Sequence, residues 1–101
     1  MKTLTEEFNS ITVKAGKEFM IELPINPSTG YIWKTTIISG SLRAKEQTIN
    51  TQKTIGGDTT VKMLFQTSKN AKDSDAIIMM QYHRPFDNQT KKTQNFNIKI
   101  I

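Results

Sequence analysis

The side chains that could do covalent chemistry in this chain are few. Its 101 residues include no cysteine, so it has no thiol nucleophile, no thiolate metal site and no disulfide. His83 is the sole histidine. A Ser-His-Asp arrangement would have to use it, and nothing around it resembles the Gly-x-Ser-x-Gly turn that exposes a nucleophile. A zinc site wants several His or Cys ligands, which the chain cannot supply. Asp73 and Asp75 fit a solvated turn, and His83 fits a strand end. Gly56-Gly57 alone does not make a phosphate-binding loop. The expectation is therefore a protein that is not an enzyme and uses no metal or cofactor.

What the sequence does contain is binding chemistry. Three candidate loops, Asn26-Pro27-Ser28-Thr29-Gly30, Ile55-Gly56-Gly57 and Arg84-Pro85-Phe86, fall between segments that read as strands. In the first, Pro27 fixes φ and Gly30 permits a sharp exit. Its tip, Pro27-Ser28-Thr29, carries no charge and would be cheap to desolvate in a narrow cleft. In the last, Arg84 offers planar donors and Phe86 an aromatic anchor, the residue types favoured at interface hot spots. At base rate Gly56-Gly57 is simply a tight turn. A rigid β-scaffold presenting several preformed loops suits gripping another surface.

The elements that must position these loops are strands. Period-two alternation runs through Ile11 and Val13, then Phe19, Ile21 and Leu23, with Pro24 expected to end that strand. Tyr31, Trp33, Thr35 and Ile37 share a face of the next strand, and Ser39-Gly40 is a turn. Residues 41–53 read as one or two polar edge strands, with a short helix across Arg43–Gln47 as the alternative. Val61, Met63 and Phe65 alternate within Thr59–Thr67. Asp75–His83 is apolar on both faces, as a central strand should be, and Met79-Met80 fits core filling. Phe96, Ile98 and Ile100 line the final strand. Residues 1–8 are read as a candidate flexible N-terminus.

This predicts an all-β fold: an immunoglobulin-like antiparallel β-sandwich of seven to eight strands, one domain over 1–101, with no disulfide. Trp33 takes the place of the strand-C tryptophan of such sandwiches, against neighbours such as Ile21, Ile78 or Met80. The connections carrying the three loops would then emerge at one end.

The net charge of +5 comes from scattered basic residues, in runs no longer than two. Nucleic acid is not expected as a partner, because no basic–aromatic interleaving accompanies the charge. No apolar stretch approaches the ~18 residues of a membrane span, so no membrane is expected. Without a hydrophobic leader core at its start, the chain is expected in the cytoplasm. A lysosomal, vesicular or secreted location is the alternative if a leader has been removed. Asn88-Gln89-Thr90 is a glycosylation pattern within a proposed binding loop, which weighs against secretion.

At these loops the chain resembles the chagasin-type inhibitors of papain-like cysteine peptidases. Their first loop reads Asn-Pro-Thr-Thr-Gly followed by an aromatic or aliphatic residue and Trp. Here Asn26-Pro27-Ser28-Thr29-Gly30-Tyr31-Ile32-Trp33 differs by one Ser for Thr. Arg84-Pro85-Phe86 matches an Arg-Pro-Trp loop, and Thr54-Ile55-Gly56-Gly57 matches Gly-x-Gly-Gly without its first glycine. The resemblance implies an immunoglobulin-like fold and reversible, competitive, tight-binding inhibition through loops 26–31, 54–58 and 84–92. The partner would be a papain-like cysteine peptidase of cathepsin L-like or similar type, bound by a monomer. Asn26 to Tyr31 would enter the active-site cleft, with Thr29 near the catalytic pair. Arg84, Pro85 and Phe86 would grip the primed side, and Ile55, Gly56 and Gly57 the opposite side. The Phe86 and Thr54 departures would shift selectivity. The alternative from a different class is a non-inhibitory immunoglobulin-like interaction module using a sheet face or edge.

Overall fold

The computed structural model describes residues 1–51 and 59–101. Eight strands form among the described residues: β1 (Lys2–Leu4), β2 (Ser10–Val13), β3 (Glu18–Ile25), β4 (Ile32–Ser39), β5 (Leu42–Thr51), β6 (Thr59–Thr67), β7 (Ser74–Arg84) and β8 (Gln89–Ile100). They make two four-stranded sheets, in the orders β1-β3-β6-β5 and β2-β8-β7-β4. Period-two burial shows why they stack. Phe19, Ile21 and Leu23 of β3 and Val61, Met63 and Phe65 of β6 are buried, as are Ala76, Ile78 and Met80 of β7 and Phe96, Ile98 and Ile100 of β8. Phe19 and Phe65 are cross-strand partners and stack with centroids 5.4 Å apart. Each fully buried apolar side chain of this size stabilises the fold by roughly 1.5–3 kcal/mol.

The sandwich predicted from sequence is present, but several of its details differ. One edge of each sheet is not antiparallel: β1 pairs parallel with β3, and β2 parallel with β8. The chain runs along the first sheet, crosses between layers at residues 5–9, and continues along the second. Each short segment thus adds to an outer edge. The alternation reading missed β1, a strand of three residues whose only buried side chain is Leu4. Burial of Leu4 (0% exposed) is what anchors this segment.

Pro24 does not end its strand, because β3 continues to Ile25 with Pro24 opposite Thr60. The missing donor is tolerated because β1 pairs only as far as Ile21, leaving that edge of β3 open at Pro24. Leu42–Thr51 is one ten-residue strand, with no helix across Arg43–Gln47. That segment lacks the apolar stripe that would dock a helix. It pairs instead as a polar edge along β6, with a register shift between Ala44 and Glu46.

Candidate functional site

The β3–β4 connection is held by its own polar groups. Pro27–Thr29 is a single 3-10 turn. The Asn26 side-chain oxygen accepts from the Ser28 backbone N–H at 3.3 Å and the Ser28 hydroxyl at 2.7 Å. The Asn26 carbonyl accepts from the Thr29 N–H at 3.1 Å and the Thr29 hydroxyl at 2.7 Å. The Tyr31 N–H reaches the Thr29 hydroxyl oxygen at 3.4 Å. Asn26 thus organises the turn, as the side-chain chemistry of Asn allows. Gly30 closes it at φ +77°, where a side chain would be strained although the space around it is ordinary. The tip residues Ser28 and Thr29 are exposed and uncharged.

The β7–β8 connection is shorter than the 84–92 loop expected from sequence. Arg84 pairs with Gln89 and His83 with Thr90, so the turn itself is only residues 85–88. Asn88 permits this tightness by taking a left-handed conformation at φ +55°, which Asn tolerates better than most residues. Its N–H donates to the Pro85 carbonyl at 3.3 Å. His83 sits near the strand end as expected, with Nδ1 3.0 Å from the Thr90 hydroxyl.

These two turns are joined by a column of rings. Trp33 is buried, and its indole N–H donates to the Pro24 carbonyl at 2.8 Å. Tyr82, its cross-strand partner, lies 4.9 Å from it between ring centroids. Tyr31 stacks on Tyr82 at 5.1 Å. The Arg84 guanidinium sits over Tyr31 at 4.8 Å and over Phe86 at 4.9 Å. Exposed cation–π contacts of this kind contribute about 0.5–1 kcal/mol each. The column therefore runs from the core to Phe86, which is 80% exposed at the tip. A side chain added at Gly30 would lie 3.6 Å from both Arg84 and Phe86, which places the first turn directly against the third.

Arg84 is also clamped by Asp87. Its Nε donates to both carboxylate oxygens at 3.0 Å, and Nη2 donates to one of them. This hydrogen bonding holds the Asp87 carboxyl below its usual range and pushes the Arg84 guanidinium up. Two of the three guanidinium nitrogens are thus engaged within the chain.

The expected residues of the middle loop, Ile55, Gly56 and Gly57, lie outside the described residues. The strands that flank it end beside the first turn: Thr51 pairs with Thr59, and Thr59 with Ile25. Asn26, Pro27, Ser28, Thr29, Gly30, Tyr31, Arg84, Pro85 and Phe86 are brought together at one end, in two touching turns. Sequence reasoning did not single out three residues of this cluster, although two of them, Asp87 and Lys91, fall within the expected 84–92 loop. Tyr82 shares the period of Ile78 and Met80 and lies within the apolar central strand, where nothing in the sequence marked it for the site. Asp87 stands three residues after Arg84, a spacing that could have suggested the clamp. Lys91, 5.7 Å over the Tyr31 ring, carried no signal.

Fold and site together define an immunoglobulin-like sandwich with two touching, exposed turns at one end. A family model, the chagasin family of peptidase inhibitors I42, matches residues 12–100, and the chain belongs to that family. It is an inhibitor of cysteine peptidases and not an enzyme. Among solved structures it is similar to the cysteine protease inhibitor EhICP2 from Entamoeba histolytica. The TM-score is 0.78 at 19% identity, covering 99% of this chain and 94% of that one. It is also similar to amebosin, with a TM-score of 0.64 at 25% identity over 98% of this chain and 94% of that one. A third similar structure is PbICP-C, solved in complex with falcipain-2, with a TM-score of 0.58 at 16% identity over 99% and 90%. A search of curated proteins finds no match.

Proposed function

We propose that the chain inhibits papain-like cysteine peptidases reversibly and competitively, by seating the 26–31 turn in the active-site cleft with Phe86 braced beside it. The observation that carries this reading is the ring column, which fuses the first and third turns into one wedge ending in an exposed phenylalanine. The wedge tip is uncharged and bonded to itself, so it loses little entropy and little solvation on entering a cleft. A 3-10 turn is not the extended backbone of a cleavable peptide, which supports occlusion without turnover. Thr29, at the turn's exposed end, is the residue assigned to the catalytic Cys–His pair. Arg84 and Pro85 hold Phe86 against an aromatic or aliphatic wall on the primed side. Ile55, Gly56 and Gly57 are assigned to the opposite wall. An interface of about 1,600 Å² in total is expected.

The test is titration of active-site-calibrated papain, and of a cathepsin L-like peptidase, with the purified chain. Stoichiometric loss of activity that is restored on dilution is the expected result. Full activity of both enzymes at micromolar inhibitor would overturn the reading.

A further inference from the structure

Beside the wedge the sandwich has an open flank. A cleft of about 410 Å³ lies between the end of β3 and the start of β8, with Glu6 on its third side. Trp33 and Tyr82 contribute aromatic surface to it, and Asn26 belongs both to its wall and to the first turn. Sites that take in a ligand group have volumes of about 300–1,000 Å³, an apolar lining and a few convergent polar groups.

The polar capacity left in this cleft can be counted. The Trp33 N–H is engaged by the Pro24 carbonyl. The Tyr82 oxygen accepts the Asn26 N–H at 2.9 Å, and its own hydrogen has no acceptor among the described residues. The Glu6 carboxylate is paired with Lys92, and the Glu6 carbonyl accepts from Gln94 at 3.0 Å. Lys91 pairs with no carboxylate among the described residues. The Tyr82 hydroxyl hydrogen, the Asn26 side-chain amide N–H groups, which donate to nothing among the described residues, and the Lys91 ammonium therefore remain beside an aromatic surface. That is the complement of a carboxylate on a short apolar stem.

We infer that this cleft receives an Asp or Glu side chain from the surface of the target peptidase, with Lys91 making the ion pair. The inference rests on the inhibitor reading, since seating the wedge is what would bring Asn26 and the adjoining cleft against the enzyme. Lys91 then sets which peptidases are bound tightly, favouring those with an acidic residue beside the active-site groove.

The experiment measures inhibition constants of the wild-type chain, Lys91→Met and Lys91→Glu against papain and a cathepsin L-like peptidase, at low and high salt. For the peptidase the wild type inhibits more tightly, Lys91→Glu is expected to weaken inhibition about tenfold or more at low salt, and Lys91→Met by less. The difference between the variants should shrink at high salt, as an exposed ion pair requires. Both variants lose the cation over Tyr31, and Lys91→Glu also sets an anion against the negative face of that ring, so melting temperatures are measured beside the constants: a structural role alone predicts losses that follow the melting temperature and do not ease with salt. Losses of that kind, equal losses, or a Lys91→Glu constant within about twofold of wild type at low salt, would overturn the inference while leaving the inhibitor reading intact. Absence of inhibition by the wild type would instead overturn the reading beneath it.

Discussion

The two ends of the sandwich are closed by different means. At the end opposite the wedge, the contacts are close-packed, and one of them is buried. Thr67 is 2% exposed, and its hydroxyl lies 2.9 Å from the Lys17 carbonyl and 3.2 Å from that of Lys14. Gly40 runs so close to β7 that a Cβ there would lie 2.3 Å from the Ala76 Cβ. At the wedge end the closing contacts are a guanidinium between two rings, an ion pair and hydrogen bonds within a turn, most of them facing water. The lesson is a division of labour. The close-packed end secures the fold, and the wet end spends its residues on a preformed surface. Substitutions at the first should register in stability, and substitutions at the second in inhibition.

Gly40→Ala is the harshest test of that division. The residue has φ +105° and no room for a methyl group. The expected cost is about 3 kcal/mol of stability, in the range of backbone strain combined with overpacking. The denaturant midpoint should fall at unchanged m-value, while inhibition per folded molecule stays at the wild-type level. A midpoint that does not move would mean the two ends are not distinguished by packing. Phe86→Ala is the mirror image. The side chain is 80% exposed, so melting should be unchanged. Inhibition should weaken by about 2 kcal/mol, the size of a hot-spot loss. Unchanged inhibition would remove Phe86 from the wedge.

The close-packed end was the more legible one in the sequence. Apolar residues at every second position announced β3, β6 and β8, because burial of one face imposes that period, and an unbroken apolar run announced β7 as a central strand. Ser39-Gly40 announced its turn, though not the close approach to Ala76 that makes the glycine obligatory. The wedge residues were legible as three loop motifs, yet the column that joins two of them was not. Tyr82 is 51 residues from Tyr31 in the chain, and only the register of β4 on β7 puts their rings together. The short third turn was missed because His83-Arg84 and Gln89-Thr90 have no apolar alternation, although they pair in the ladder. β1 was missed for a similar reason, since a three-residue strand with one buried side chain has no period to detect.

Tyr82→Phe sharpens the comparison where the two functions meet. The ring remains between Trp33 and Tyr31, but the Asn26 N–H loses its 2.9 Å acceptor. Loss of one such hydrogen bond should cost about 1 kcal/mol, and here it should appear in the inhibition constant more than in the melting temperature. Equal inhibition by the variant would show that the turn holds its shape through Asn26 and Thr29 alone and that the Tyr82 hydroxyl donates nothing to the target.

The smallest expected effect concerns the Arg84–Asp87 clamp and its pH dependence. The Asp87 pKa is depressed in the folded protein, first through the hydrogen bonds from Arg84. A depressed carboxylate contributes stability that is present above its unfolded pKa, near 3.9, and lost as pH falls through the lower folded value. The clamp should therefore be intact throughout the neutral and mildly acidic range in which an inhibitor would be assayed, and should open only under stronger acid. Both partners face solvent, so global stability should hardly register the change. The suitable readout is local: the Asp87 carboxyl shift followed by NMR from neutral pH downward. A midpoint at or above the ordinary aspartate value would mean that the clamp does not persist in solution. Asp87→Asn should remove the titration and loosen Phe86, weakening inhibition less than Phe86→Ala does. If Asp87→Asn weakened inhibition as much as Phe86→Ala, the clamp rather than the phenyl ring would be the principal element of the wedge.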